Sequence, residues 1–116
     1  MDTAGTQDGT GGVRTLTDGS FAAEVEQGAG LALVDFGAAW CGPCRMVAPV
    51  VEQLAAEYEG RVRVGALDVD ANPETAARFN VRSLPTFLFF KDGRVVDQAV
   101  GAVPRPLLER KIQQHL

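Results

Sequence analysis

The sequence predicts an α/β domain: a mixed five-stranded sheet flanked by four helices. Three observations carry this expectation. Strand-like and helix-like runs alternate from Val13 to Phe79, the order expected of parallel strands joined by helical crossovers. The run Leu31-Ala32-Leu33-Val34-Asp35-Phe36 is apolar on both alternating faces except at Asp35, as a central strand covered on each side should be. Two further strand-like runs flank Asp92-Gly93, a pair that tolerates the positive φ angles of a tight hairpin, so the last two strands should be antiparallel.

Taken in order, Val13 to Leu16 is a short strand, and Thr17 or Asp18 caps a helix over Phe21, Ala22 and Val25 that stops at Gly28. After the central strand, Val47, Ala48, Val51, Leu54, Ala55 and Tyr58 fall at helical spacing from Cys44 onward, with Gly60 as the stop. Pro49 lies inside that helix, where its missing N–H and its ring predict a kink. Val62 to Val69 reads as a strand weakened by Gly65. Asn72, as cap, and Pro73, in the first turn, start a short helix over Ala76, Ala77 and Phe79. Pro85 to Phe90 and Arg94 to Val100 form the hairpin arms, and Gly101 closes the second. Pro104 and Pro106 introduce a last helix with Leu108, Ile112 and Leu116 as its inward stripe.

Residues 2–12 contain no side chain larger than Gln7 and no apolar residue beyond Ala4, too little to offset the entropy of ordering. The expected organisation is a flexible tail over 1–12 and one domain over 13–116, with no internal repeat. A net charge of -4 with dispersed Lys and Arg argues against a general affinity for nucleic acid or anionic membrane. No apolar run approaches the ~20 residues of a membrane span, and the N-terminus lacks the basic start and apolar stretch of a secretory signal. A cytoplasmic, reducing compartment fits these features, and the chain is expected to act as a monomer.

Both cysteines of the chain sit in Trp40-Cys41-Gly42-Pro43-Cys44, between the central strand and the following helix. Two thiols three positions apart can close a disulfide, and the unpaired N–H groups of a helix start favour a thiolate at the first of them. Cys41 is therefore expected to attack, and Cys44, one turn further in and more buried, to resolve. A structural zinc site needs about four ligands, and His115 is the chain's one histidine, so no metal is expected. A stabilising staple gains little from so small a loop. Asp35, in an apolar strand leading to the motif, should be desolvated and raised in pKa, a plausible proton carrier for Cys44; a solvated strand end is the other reading. Trp40 borders the motif or fills the core. Pro85 opens a strand and by itself requires no further role.

Separated matches resemble the thioredoxin family across Val13 to Leu116: Val34-Asp35-Phe36, Trp40-Cys41-Gly42-Pro43-Cys44, Pro49, Asp68-Val69-Asp70 with Asn72-Pro73, Ser83-Leu84-Pro85-Thr86, Phe90-Lys91-Asp92-Gly93 and Gly101. The resemblance implies the thioredoxin fold and a protein disulfide reductase without a bound cofactor. Its electrons would come from an NADPH-dependent thioredoxin reductase. They would pass to oxidised proteins such as ribonucleotide reductase, peroxiredoxin and methionine sulfoxide reductase. It further implies a cis peptide before Pro85 and a substrate groove bordered by Trp40, Gly42, Pro43, Leu84, Pro85, Gly101 and Ala102, where Leu84 pairs its backbone with an extended substrate segment. Gly42-Pro43 is the dipeptide of the reducing members.

Two positions depart from the family pattern. Gly37 stands where many relatives carry a Trp, and Ala66 where they commonly carry a Lys near the buried carboxylate. The second departure bears on proton handling, not on the redox assignment. A binding or chaperone module whose affinity is switched by the cysteines is the alternative function for such a chain, and catalytic turnover separates the two.

Overall fold

The computed structural model describes residues 12–116, so the tail expected over 1–12 lies, except for Gly12, outside the described residues. Five strands form one mixed sheet in the order β1-β3-β2-β4-β5, with β1 at Val13–Leu16, β2 at Leu31–Gly37, β3 at Val62–Asp68, β4 at Thr86–Lys91 and β5 at Arg94–Val100. The central strand β2 runs parallel to β3 and antiparallel to β4, so Leu33 faces Val64 on one side and Phe89 on the other. Three α-helices, α1 (Gly42–Glu57), α2 (Pro73–Arg78) and α3 (Arg105–His115), and a π-helical segment at Ala22–Glu26 cover the sheet. In that segment Gln27 N–H donates to the Ala22 carbonyl at 2.8 Å, five positions back.

The two faces of β2 feed two cores, as its double apolar pattern requires. Leu31 and Leu33 pack with Val47, Val51 and Leu54 of α1 and with Leu108 and Ile112 of α3. Ala32, Val34 and Phe36 pack on the opposite side with Phe21, Val25, Leu67 and Phe90. There the rings of Phe21, Phe79 and Phe90 lie 5.3–5.6 Å apart in tilted and edge-to-face contacts. Leu116 departs from the expected inward stripe: it follows the last turn of α3 and is 48% exposed.

Of the two caps expected for the first helix, Thr17 takes that role and Asp18 does not. Thr17 and Ser20 cap the first helical turn reciprocally, each side chain accepting the other's N–H at 3.0 Å. Asp18 instead reaches across the sequence to the start of α2. Its carboxylate accepts the N–H of Glu74 at 3.2 Å and the N–H and hydroxyl of Thr75 at 2.8 and 2.6 Å. Asn72, the expected cap, makes no capping bond to α2 and receives the Asp18 N–H at 2.9 Å.

Gly65 belongs in β3 because a Cβ there would lie only 2.6 Å from a methyl of Leu16, so the glycine admits that leucine to the core. Helix α1 runs continuously through Pro49, whose ring is exposed. The hairpin turn has positive φ at Asp92 (52°) and Gly93 (86°), the geometry the Asp-Gly pair favours.

Candidate active site

Strand β2 ends at Gly37, and a short connection through Trp40 brings Cys41 to the N-cap of α1. Cys41 is extended, Pro43 fits the first turn because no N–H is needed there, and the Cys44 N–H donates to Cys41 Sγ at 3.2 Å. The sulfur thus takes the place of a capping oxygen. A thiolate at that point is stabilised by the helix start. Cys41 and Cys44 form a disulfide with their Cα atoms 5.3 Å apart.

The expected difference in burial is not observed: Cys41 is 4% exposed and Cys44 9%. Val69 and Leu84 pack against the cluster that both cysteines form with Ala38. The two residues differ instead in their neighbours. Cys41 lines a surface pocket beside Trp40, whereas Cys44 faces inward to Gly37, where an added Cβ would lie 3.3 Å from its Sγ and 3.9 Å from Asp35 Oδ1.

Asp35 stands in register between Ala66 of β3 and Phe87 of β4, neither of which can neutralise or hydrogen-bond a carboxylate. Its Oδ1 is buried without a partner, and burial pushes the carboxyl up to about 6. The carboxyl is desolvated, not a solvated strand end.

Trp40 is 67% exposed, which settles its place outside the core. Its indole N–H donates to Asp70 Oδ2 at 2.7 Å, and Arg45 donates through Nη1 to the Ala39 carbonyl at 2.7 Å. These bonds tether the loop just before Cys41, at Ala39 and Trp40, to α1 and to the segment after β3. Trp40, Cys41, Gly42, Pro43 and Leu84 line one pocket of about 440 Å³ together with Val69, Ala76, Val81 and Arg82. Pro85, Gly101 and Ala102 do not line it. The Leu84–Pro85 peptide is cis, Pro85 is buried, and the Gly101 N–H donates to the Pro85 carbonyl at 2.8 Å, leaving Ala102 exposed beyond it. Among the described residues, no group of three or more His, Cys, Asp or Glu side chains is placed to hold a metal ion, and no helix is long and apolar enough to cross a membrane.

The thioredoxin family model matches residues 12–114. The chain belongs to the thioredoxin family. It is 50% identical over 100 residues to Thioredoxin 2 of Chlorobaculum tepidum, covering 86% of this chain and 92% of that protein. It is 52% identical over 101 residues to a thioredoxin of Staphylococcus aureus, covering 87% and 95%. A thioredoxin with a Trp-Cys-Gly-Pro-Cys motif is a protein-disulfide oxidoreductase that works by dithiol–disulfide exchange. Thioredoxin identity implies a thioredoxin reductase as electron source and disulfide-bearing proteins as acceptors.

Asp70, Arg45, Val69, Ala76, Val81 and Arg82 were not anticipated as parts of this thioredoxin site. Asp70 had a signal, since it lies in the Asp68-Val69-Asp70 match, but no local pattern pairs it with an indole thirty positions away. Val69 lies in the same match, whereas Arg45 and the pocket residues Ala76, Val81 and Arg82 look like ordinary helix and loop positions until the fold brings them together.

Proposed function

We propose that Cys41 is the attacking thiolate, Cys44 the resolving thiol and Asp35 the acceptor of the Cys44 proton. Cys41 Sγ attacks one sulfur of a substrate disulfide, a mixed disulfide forms, and the other substrate sulfur leaves as a thiolate. Cys44 passes its proton toward Asp35 and attacks Cys41 Sγ. The Cys41–Cys44 disulfide closes and the second substrate thiolate departs. Substrate and protein have then exchanged two electrons, and the reductase returns the pair to the dithiol. The observation that carries this order is the Cys44 N–H bond to Cys41 Sγ, which puts Cys41 at the helix start.

The proposed docking groove comprises Trp40, Gly42, Pro43, Leu84, Pro85, Gly101 and Ala102, with the Leu84 backbone pairing to an extended substrate segment. Such pairing reads main chain and accepts many sequences, which suits acceptors as different as ribonucleotide reductase, peroxiredoxin and methionine sulfoxide reductase. The working unit is the domain over 13–116, acting as a monomer in the cytoplasm and recycled by an NADPH-dependent reductase.

Insulin reduction coupled to NADPH and thioredoxin reductase tests the reading. Sustained NADPH oxidation that requires Cys41 is the expected result. Redox-dependent client binding without turnover would favour the switched binding module.

A further inference from the structure

At the end of the sheet opposite the cysteines, strands β2 and β3 begin beside a concavity of about 320 Å³, with the paired residues Leu31 and Val62 in its lining. Strand β2 runs seven residues from there to Gly37, a separation of roughly 20 Å along the strand. Three arginines line the concavity, Arg14, Arg61 and Arg63, and Glu59 is the one carboxylate lining it among the described residues. This local excess of positive charge is opposite in sign to the chain's net charge of -4.

Arg63 is held in place before any ligand arrives. Its guanidinium donates to the carbonyls of Glu24 at 2.5 Å and Ala29 at 2.9 Å, and it lies against Gly28, where any Cβ would overlap it. Both acceptors are uncharged main-chain groups. Burial and the nearby Arg14 charge lower the Arg63 pKa, and Asp92 only partly opposes them. Among the described residues Arg14 has a single, distant carboxylate partner, Glu24 at 3.6 Å, which lies outside the concavity. Arg61 is exposed and rests over the Tyr58 ring at 4.7 Å, with no ion pair among the described residues. Gly12 and Gly60 also line the concavity and add no side chains to it.

We propose that this concavity binds a phosphate-bearing small molecule through Arg14, Arg61 and Arg63. Guanidinium forks match pairs of phosphate oxygens, and a fixed Arg63 loses little freedom on binding. The site is independent of the redox reaction. A ligand here leaves the cysteine face open, and at free concentration c it stabilises the folded chain by RT ln(1 + c/Kd).

The test is a titration of the full chain with pyrophosphate and, separately, with ADP at constant ionic strength, followed by backbone amide NMR. Saturable shifts at Arg14, Ala29, Arg61 and Arg63, with amides near Cys41 unmoved, are expected. Equal affinity for the two probes assigns recognition to the phosphates alone, and tighter ADP binding adds the nucleoside; both support the site. Arg61→Gln, at an exposed side chain, should fold as the parent does and weaken binding about tenfold. Arg14→Gln is a second variant that leaves the Arg63 carbonyl bonds in place. Absence of saturable shifts up to about 10 mM probe, shifts centred elsewhere, or unchanged affinity in both variants would overturn the proposal.

Discussion

The Trp40 indole N–H donates to Asp70 Oδ2 at 2.7 Å, joining the loop before Cys41 to the segment after β3 across thirty positions of sequence. With 67% of the residue exposed, packing alone does little to orient this ring, and the bond fixes it at the pocket beside Cys41. Asp70→Ala should therefore raise KM for a protein disulfide about fivefold, the equivalent of one hydrogen bond of about 1 kcal/mol, with little effect on a small disulfide reagent. Trp40 is the chain's one tryptophan, so fluorescence anisotropy reports its mobility directly. An unchanged anisotropy in Asp70→Ala would mean that packing holds the ring.

The two cysteines should differ in chemistry although they are similarly buried. Cys41→Ser should abolish disulfide reduction, while Cys44→Ser should still attack and then accumulate mixed disulfides. In the reduced protein, iodoacetamide near neutral pH should label Cys41 first, because its sulfur sits at the helix start, where a thiolate is favoured. Preferential labelling of Cys44 would exchange the two roles.

Periodicity and punctuation made the sheet legible: the two-faced apolar pattern of Leu31 to Phe36 marked the central strand, and Asp92-Gly93 marked the hairpin. What stayed hidden depends on residues far apart in sequence. Asp18 looked like a cap for the helix that follows it, yet it caps α2 more than fifty positions later, while Thr17 and Ser20 cap the nearer turn. Gly65 looked like a weakness in β3 until Leu16 of β1 filled the space. At the site, the motif and Asp35 could be read locally, because strand, cysteines and helix are contiguous. The Trp40–Asp70 bond and the wall formed by Val69, Ala76 and Val81 could not, because the fold alone brings them to the motif.

The cross-sequence cap makes its own prediction. The Thr75 hydroxyl, followed by the Thr75 and Glu74 N–H groups, holds the Asp18 carboxyl below its ordinary 3.8. A depressed folded pKa contributes stability above the unfolded value, and that contribution is lost as pH falls through the folded one. Asp18→Ala should lower the melting temperature near pH 7, and the difference from the parent should shrink as pH drops below about 3.9. A difference that stays constant through acid pH would show that the carboxylate charge is not what caps α2.

Asp35 should have the opposite sign. Burial raises its carboxyl from 3.8 to about 6, so the folded chain holds this proton more tightly than the unfolded one. Stability is then greatest below the unfolded pKa and is lost as pH rises from there through the folded value, by about 3 kcal/mol in total. Asp35→Asn should stabilise the protein by about 1–3 kcal/mol near pH 8, with the advantage fading toward pH 4, and it should slow substrate reduction by removing the proton acceptor. Ala66 pairs with Asp35 across β2 and β3, so Ala66→Lys would bring an ammonium near the carboxylate, favour its charged form and narrow the stability gap. Denaturant midpoints for the parent and both variants between about pH 4 and pH 9 decide the matter. Parallel curves for the parent and Asp35→Asn would show that the carboxyl titrates alike in both states, and its role as proton acceptor for Cys44 would fall with that result.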